Sequence, residues 1–149
     1  PYIVTEGEVS EEDFALYQKV RLVVESFSVP ETLGKFENGG ASIKMSCHLL
    51  ARAVALAFGL KYVDGKFFEM CEHSWVLMTS GHIIDVYPVG MWGPVLVYND
   101  PMWSPGKWLY KPIPNFVDKN SHLKLTDHGF LAAVDLVVKS FQPFSQTPA

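Results

Sequence analysis

Apolar residues recur at helical spacing in two stretches before residue 60, and the period then changes to two. The first stretch places apolar side chains three and four residues apart, which is typical of one helix face. Ser10, followed three residues later by Asp13, resembles the capping box that begins a helix. Pro30 blocks further continuation. The pattern predicts a helix from about Glu11 to Phe27, then a mobile or tightly turned connection through Asn38-Gly39-Gly40.

A second helix is predicted from about Ser46 to Phe58. Ser46 is suited to cap its start, and Gly59 is suited to the left-handed conformation that ends a helix. Small and medium apolar residues give the segment a face that packs against a sheet, while Arg52 is expected to point away. Cys47 falls in the first turn, where unpaired backbone N–H groups and the positive end of the helix dipole stabilise a thiolate. This position is expected to lower the pKa of the Cys47 thiol.

From Leu60 onward, alternating apolar and polar residues predict strands joined as an antiparallel meander. Asp64-Gly65 is a hairpin-turn signal between two predicted strands, at 60–63 and 66–70. Two further strands are predicted at 73–78 and 82–87, with Ser80-Gly81 as the turn between them. The predicted fold class is therefore α+β, with the Cys-bearing helix packed on an antiparallel β-sheet.

The register of the last two strands depends on the length of their turn. With a two-residue turn, Thr79 pairs with His82, and Asp85 lies roughly opposite Val76. This register places His73 and Asp85 on opposite faces of the sheet, because successive residues of a strand alternate between faces. A bulge or a longer loop at Thr79 to Gly81 corrects the parity.

The remaining segments complete the same domain. A strand is predicted at 95–98, another at 107–110 that closes the sheet, and a last helix from about Asp127 to Phe141. Neither a second domain nor an internal repeat is indicated. Residues 1–149 are therefore predicted to form a single domain, with its core at about 46–110 and a flexible tail at about 142–149.

The composition argues against several classes of protein. The longest apolar run is far shorter than the roughly 18 residues that a membrane-spanning helix needs. A net charge of −4 without any Lys/Arg run argues against binding to nucleic acid or to an anionic membrane. The two cysteines do not form a disulfide framework or a Cys-x-x-Cys pair. No signal peptide is visible, and the composition leaves localisation open between the cytoplasm and a secreted effector.

Three residues carry the candidate chemistry: Cys47, His73 and Asp85, in that order along the chain. A Cys thiolate attacks a carbonyl carbon, a His transfers the proton, and an Asp orients the imidazole. The backbone N–H of Cys47 is a candidate oxyanion donor. The loop that begins at Asn38 is a candidate source of the second donor, and Asn38 is accordingly predicted to contact the substrate.

Several alternatives stand beside this interpretation. A free cysteine is among the most buried residue types, so Cys47 taken alone is expected to be a small packing residue, and only its two partners in order favour catalysis. Cys71 is the alternative nucleophile, although it lacks a helix start. His48 and His82 are predicted to be surface residues, and no His or Cys spacing fits a metal site. Neither a metal nor a cofactor is predicted.

Three of the four tryptophans, Trp92, Trp103 and Trp108, lie in predicted loops, where exposed aromatics need packing or binding partners. One interpretation is that they cover the sheet edge. The other is that they line a substrate cleft together with Trp75, which would suit a protein or peptide substrate.

Three runs together resemble the core of the transglutaminase-like superfamily of papain-like cysteine enzymes: Gly59-Leu60-Lys61-Tyr62-Val63, His73-Ser74-Trp75-Val76 and Gly81-His82-Ile83-Ile84-Asp85. The resemblance covers about residues 46–88. It departs from the family where Lys61-Tyr62 replaces a Pro-Ala pair, where no proline directly follows Asp85, and in the short interval of 26 residues between Cys47 and His73.

The resemblance implies that Cys47 is the nucleophile, His73 the base and Asp85 its orienting partner. It implies a papain-like catalytic domain that acts on an amide bond through a Cys thioester, as a peptidase, amidase, Gln deamidase or transglutaminase. The alternative is a non-catalytic binding module of the same fold that uses the Trp-rich loops as its interface.

Overall fold

The computed structural model describes residues 2–4, 9–25, 36–38, 41–43, 46–88, 93–99, 109–116 and 128–145. Within these ranges the chain forms three helices: α1 (Glu11–Glu25), α2 (Cys47–Phe58) and α3 (His128–Ser145). It also forms eight strands: β1 (Tyr2–Val4), β2 (Phe36–Asn38), β3 (Ala41–Ile43), β4 (Lys61–Phe67), β5 (Cys71–Leu77), β6 (Ile83–Asp85), β7 (Val95–Val97) and β8 (Tyr110–Pro112). None of the helices in the described ranges is both long and apolar enough to cross a membrane.

Six of the strands form one sheet in the order β1-β7-β6-β5-β4-β8. All neighbours from β7 to β8 are antiparallel, and β1 is parallel to β7. Strands β2 and β3 form a separate antiparallel hairpin. Helix α2 packs on β4 and β5 and also contacts α3. The prediction of an α+β fold with the Cys-bearing helix on an antiparallel sheet is confirmed.

The two faces of the sheet carry two separate apolar clusters. Alternate residues of β5, β6 and β7, including Val76, Ile84 and Leu96, pack with the three helices in the main core. The intervening residues, including Trp75 and Ile83, form a smaller cluster. Strand alternation places His73 and Asp85 on the face of this smaller cluster.

The capping signals locate the helix starts correctly. The backbone N–H of Asp13 donates to Ser10 Oγ at 3.1 Å, and that of Leu49 donates to Ser46 Oγ at 3.2 Å. Gly59 ends α2 in the left-handed conformation, with φ of 67°. Helix α1 is described to Glu25, and the last two residues of the predicted helix, 26 and 27, lie outside the described residues. Helix α3 continues to Ser145, beyond the predicted Phe141.

The hairpin turn predicted at Asp64-Gly65 is wrong, because β4 runs through both residues to Phe67. The turn occupies Phe68 to Met70, where Phe68 and Glu69 adopt positive φ angles of 55° and 60°. At Gly65 a Cβ atom would overlap the Lys111 carbonyl oxygen on β8, so glycine here allows close strand approach rather than a turn.

The loop between β5 and β6 is longer than two residues, which is one of the two conditions that would place His73 and Asp85 on one face. Residues 79–81 form a three-residue loop, closed by a hydrogen bond of 2.9 Å from the Met78 N–H to the His82 carbonyl. Val76 therefore pairs with Ile84, and the predicted placement of Asp85 opposite Val76 is wrong by one residue. The shift brings Asp85 onto the same face as His73.

Candidate active site

Cys47 is the first residue of α2, and its side chain is partly buried. Its backbone N–H belongs to the first turn, where helix N–H groups have no intrahelical acceptor. Sequence determines this placement locally, because Ser46 adopts an extended backbone and caps the helix immediately before Cys47. The thiol consequently lies at the positive end of the α2 dipole.

His73 on β5 and Asp85 on β6 form a buried pair, and each side chain is 1% exposed. His73 Nε2 lies 2.9 Å from Asp85 Oδ1 and 3.0 Å from Oδ2. A carboxylate accepts only, so Nε2 carries the proton of this hydrogen bond. Because Asp85 engages Nε2, Nδ1 is the ring nitrogen left to face another group.

Cys47 lies close enough to His73 to affect the pKa of its imidazole, the same ring that Asp85 holds. Burial opposes the charged form of this ring, but the hydrogen bonds to Asp85 and Cys47 and their negative charges raise the pKa of His73 to about 10. Burial likewise opposes the Cys47 thiolate, but hydrogen bonds from His48 and His73 and the charges of both rings lower its pKa to about 6. The lowered pKa of Cys47 and the raised pKa of His73 together favour a thiolate beside an imidazolium near neutral pH.

Tyr110 on β8 holds Asp85 from its other side. The Tyr110 hydroxyl donates to Asp85 Oδ2 at 2.8 Å, and burial, together with the Asp85 charge, raises the pKa of the phenol. The phenol therefore remains a hydrogen-bond donor throughout the neutral pH range.

Tyr110 was not predicted as a site residue from the sequence. The only signal was its position in a segment predicted to close the sheet, since the contact joins segments 25 residues apart.

Replacing Tyr110 with Phe is expected to lower the free energy of unfolding by about 1–2 kcal/mol. The change removes one hydrogen bond to a charged group, and such bonds contribute roughly 1.5–3 kcal/mol, but Asp85 keeps its bond to His73. Urea denaturation measures the difference. Tyr62→Phe is the matched control, because Tyr62 is 44% exposed. Equal stability of the two variants would contradict the role assigned to the phenol.

A second polar chain approaches Cys47 through His48. His48 Nδ1 lies 2.6 Å from Ser74 Oγ, and the Ser74 hydroxyl donates to Asp64 Oδ1 at 2.5 Å. Arg52 binds both Asp64 oxygens, through Nη1 at 2.9 Å and Nη2 at 2.7 Å. The predicted outward orientation of Arg52 is wrong, because its guanidinium folds back to pair with Asp64 and the residue is 5% exposed.

The predicted surface position of the two other histidines is also wrong. His48 is 8% exposed, because its ring packs between Ser74 and Phe116. His82 is partly buried: its Nδ1 accepts from the Asn99 N–H at 3.0 Å, and its ring packs on Tyr98. Cys71, the alternative nucleophile, is partly buried on β5.

The predicted substrate-binding residues are only partly described. Trp75 is 1% exposed and packs edge-to-face with Tyr110 at 5.2 Å between ring centroids. Both aromatic residues border a cavity of about 600 Å³. Strand β2 includes Asn38, but the described part of that residue is its backbone. Trp92, Trp103 and Trp108 lie outside the described residues.

Within the described ranges, no group of three or more His, Cys, Asp or Glu side chains is placed to hold a metal ion. The side chains described around Cys47 are two imidazoles that lower its pKa and a carboxylate that holds one of them. Comparison of the chain with known protein families, with curated proteins and with solved structures found no significant match in any of the three.

Proposed function

We propose that this chain is a cysteine-dependent hydrolase or acyltransferase that acts on an amide bond through a Cys47 thioester. The observation that carries the proposal is the arrangement at His73. Its ring is hydrogen-bonded to the buried Asp85 carboxylate, and the Cys47 thiol at the start of α2 helps to raise the pKa of the same ring. These are the contacts that a nucleophile, its base and an orienting carboxylate require.

In the first half of the proposed reaction, the Cys47 thiolate attacks the carbonyl carbon of the amide and forms a C–S bond. The oxyanion that develops accepts a hydrogen bond from the Cys47 backbone N–H, which has no acceptor within the helix. His73 gives its proton to the leaving amine as the C–N bond breaks, which leaves a thioester and a neutral imidazole. Asp85 and Tyr110 keep the ring oriented throughout.

In the second half, neutral His73 removes a proton from the acceptor as the acceptor attacks the thioester. The C–S bond breaks, and its electron pair returns to the Cys47 sulfur. Water as the acceptor gives hydrolysis, and an amine gives transamidation. We propose hydrolysis of a protein or peptide amide as the main reaction.

We also propose that the fold is a papain-like core of the transglutaminase-like kind. Support comes from the Cys-bearing helix packed on an antiparallel sheet, and from His73 and Asp85 on adjacent strands of that sheet. The order of the three residues along the chain agrees with the resemblance noted from the sequence. The cavity beside Trp75 and Tyr110 supports a substrate with an apolar side chain, since Leu77 and Ile83 border the same space.

The first test is alkylation of the native protein with iodoacetamide across pH. The rate at Cys47 is expected to rise with a midpoint near pH 6, because the thiolate is the reactive form and its pKa is lowered to about 6. Mass spectrometry of proteolytic peptides separates Cys47 from Cys71, the second free thiol. A Cys47 midpoint near 8.5, the ordinary value for cysteine, or a Cys47 that does not react, would contradict the proposal.

The second test seeks the covalent intermediate. Libraries of peptides with C-terminal or side-chain amides are incubated with the protein, and intact mass spectrometry detects an acyl adduct on Cys47 after acid quenching. Cys47→Ala is expected to lose both the adduct and any product, whereas Cys71→Ser is expected to retain both. An adduct that persists in Cys47→Ala would place the chemistry elsewhere.

A further inference from the structure

The Cys47 thiol contacts a second imidazole that the proposed reaction does not use. His48 follows Cys47 in α2, and a hydrogen bond from its side chain, like the one from His73, helps to lower the pKa of the Cys47 thiol. His48 is 8% exposed, and Phe116 packs against its ring at 5.8 Å between centroids. What His48 can do at the thiol depends on which of its two ring nitrogens carries a proton.

The hydrogen bonds of the second polar chain determine the position of one proton. Asp64 is paired with Arg52, and its carboxylate oxygens only accept hydrogen bonds. The Ser74 hydroxyl has a single proton, and it therefore donates that proton to Asp64 Oδ1, at 2.5 Å. Ser74 Oγ is left as an acceptor for His48, at 2.6 Å, so the proton of this contact lies on His48 Nδ1. The tautomer of His48 is thus set by residues from α2, β4 and β5.

With Nδ1–H donated to Ser74, Nε2 is the nitrogen of His48 that can gain or lose a proton beside Cys47. We propose that His48 is a second catalytic acid–base residue, whose Nε2 exchanges a proton with the Cys47 sulfur while Ser74, Asp64 and Arg52 hold the ring. This inference rests on the proposed function, since it concerns the same thiol. When both nitrogens are protonated, Nε2–H donates to the thiolate; when the ring is neutral, Nε2 accepts the thiol proton.

The charged groups around the two rings assign them different tasks. Asp85 faces His73 with a negative charge that Tyr110 solvates but does not cancel. The Asp64 charge behind His48 is balanced by Arg52, which also donates from Nη1 to the His48 carbonyl at 3.1 Å. His73 therefore carries the standing positive charge of the pair with Cys47. His48 contributes a directed hydrogen bond, and the polar contacts that extend from it lead to the ionisable groups of Asp64 and Arg52 on one side and of Cys47 on the other.

The test is the pH profile of Cys47 alkylation in His48→Asn. An asparagine amide nitrogen occupies roughly the place of His Nδ1, so the variant retains a donor for Ser74 but has nothing in place of Nε2. The alkylation midpoint is expected to rise by about one pH unit, because one hydrogen bond to the thiolate is lost. His82→Asn is the matched control: His82 is partly buried, and its polar contacts are with Asn99 and Asp13.

A double-variant comparison isolates the second base. In His73→Asn, the alkylation midpoint of Cys47 is expected to stay below that of His48→Asn/His73→Asn, because His48 still acts on the thiolate in the single variant. Thermal melts followed by circular dichroism report folding in each variant. If His48→Asn does not fold, Ser74→Ala replaces it. That change frees the ring from its acceptor and is expected to raise the midpoint by about half a pH unit.

The outcomes separate this inference from the function on which it rests. A wild-type midpoint near 6 that His73→Asn raises, but that His48→Asn or the substitute Ser74→Ala leaves in place, overturns the role of His48 and leaves the proposed function intact. A wild-type midpoint near 8.5 overturns both.

Discussion

Replacing His73 with asparagine is expected to move the midpoint of Cys47 alkylation from about pH 6 to above pH 8. The amide cannot take up a proton, so the variant loses the positive charge and the hydrogen bond that stabilise the thiolate. Burial, which opposes ionisation of the thiol, then acts with only His48 against it. At pH 6.5 the alkylation rate is expected to fall by about two orders of magnitude, because the thiolate fraction falls in that proportion.

The measurement uses a Cys71→Ser background, so that all alkylation is at Cys47. His82→Asn is the control for the substitution itself. Because His73 is 1% exposed, each variant is first checked for cooperative thermal unfolding. Rates are then compared from pH 4.5 to 10 at one ionic strength. A folded His73→Asn variant with the wild-type midpoint would show that His73 does not govern the thiol, and the proposed function would fall with it.

Replacing Arg52 with methionine is expected to lower the free energy of unfolding by about 3–5 kcal/mol. The methionine retains much of the aliphatic stem, so the change mainly removes the charge opposite Asp64. Removing one member of a buried ion pair leaves its partner uncompensated, which costs about this amount. Both side chains are largely buried, at 6% and 11% exposure. Contacts of the guanidinium with the rings of Tyr62 and Phe130 are lost as well.

Arg21→Met is the matched control for this prediction. Arg21 pairs with Glu25 one turn along α1, and both side chains are about one third exposed. Helix pairs of this kind contribute roughly 0.3–0.5 kcal/mol. The double variant Arg52→Met/Asp64→Asn should recover part of the loss, because it removes both charges and keeps an acceptor for Ser74. Urea denaturation of the four proteins decides the matter, and an Arg52→Met variant as stable as Arg21→Met would contradict the prediction.

Much of the local structure could be predicted because its causes lie within a few residues. Ser10 and Ser46 cap the two helices whose starts they predicted, and Gly59 ends α2 as its lack of a side chain allows. The same signals placed Cys47 at the helix start. The period-two segments predicted the strands that carry His73 and Asp85.

The pairing of those strands required tertiary information. A loop of three residues rather than two, at 79–81, determines whether His73 and Asp85 share a face, and either length is compatible with that short sequence. Asp64-Gly65 has the composition of a turn but lies within β4. There Asp64 binds Arg52, and Gly65 allows β8 to approach. Turn propensity was outweighed by contacts with residues that are distant in sequence.

The sequence by itself determined the α+β class, the first two helix starts, and the order of a thiol at a helix start followed by an imidazole and a carboxylate on two later strands. Tertiary structure alone decided which groups touch. It brought Asp85 and Tyr110 to His73 and turned Arg52 inward, and it buried His48 against Ser74. The physical reason is the distance along the sequence over which each interaction acts. Helix caps and the spacing of apolar residues involve residues within one or two helical turns. Buried polar groups, in contrast, pair with residues that are distant in sequence and become neighbours only in the folded chain.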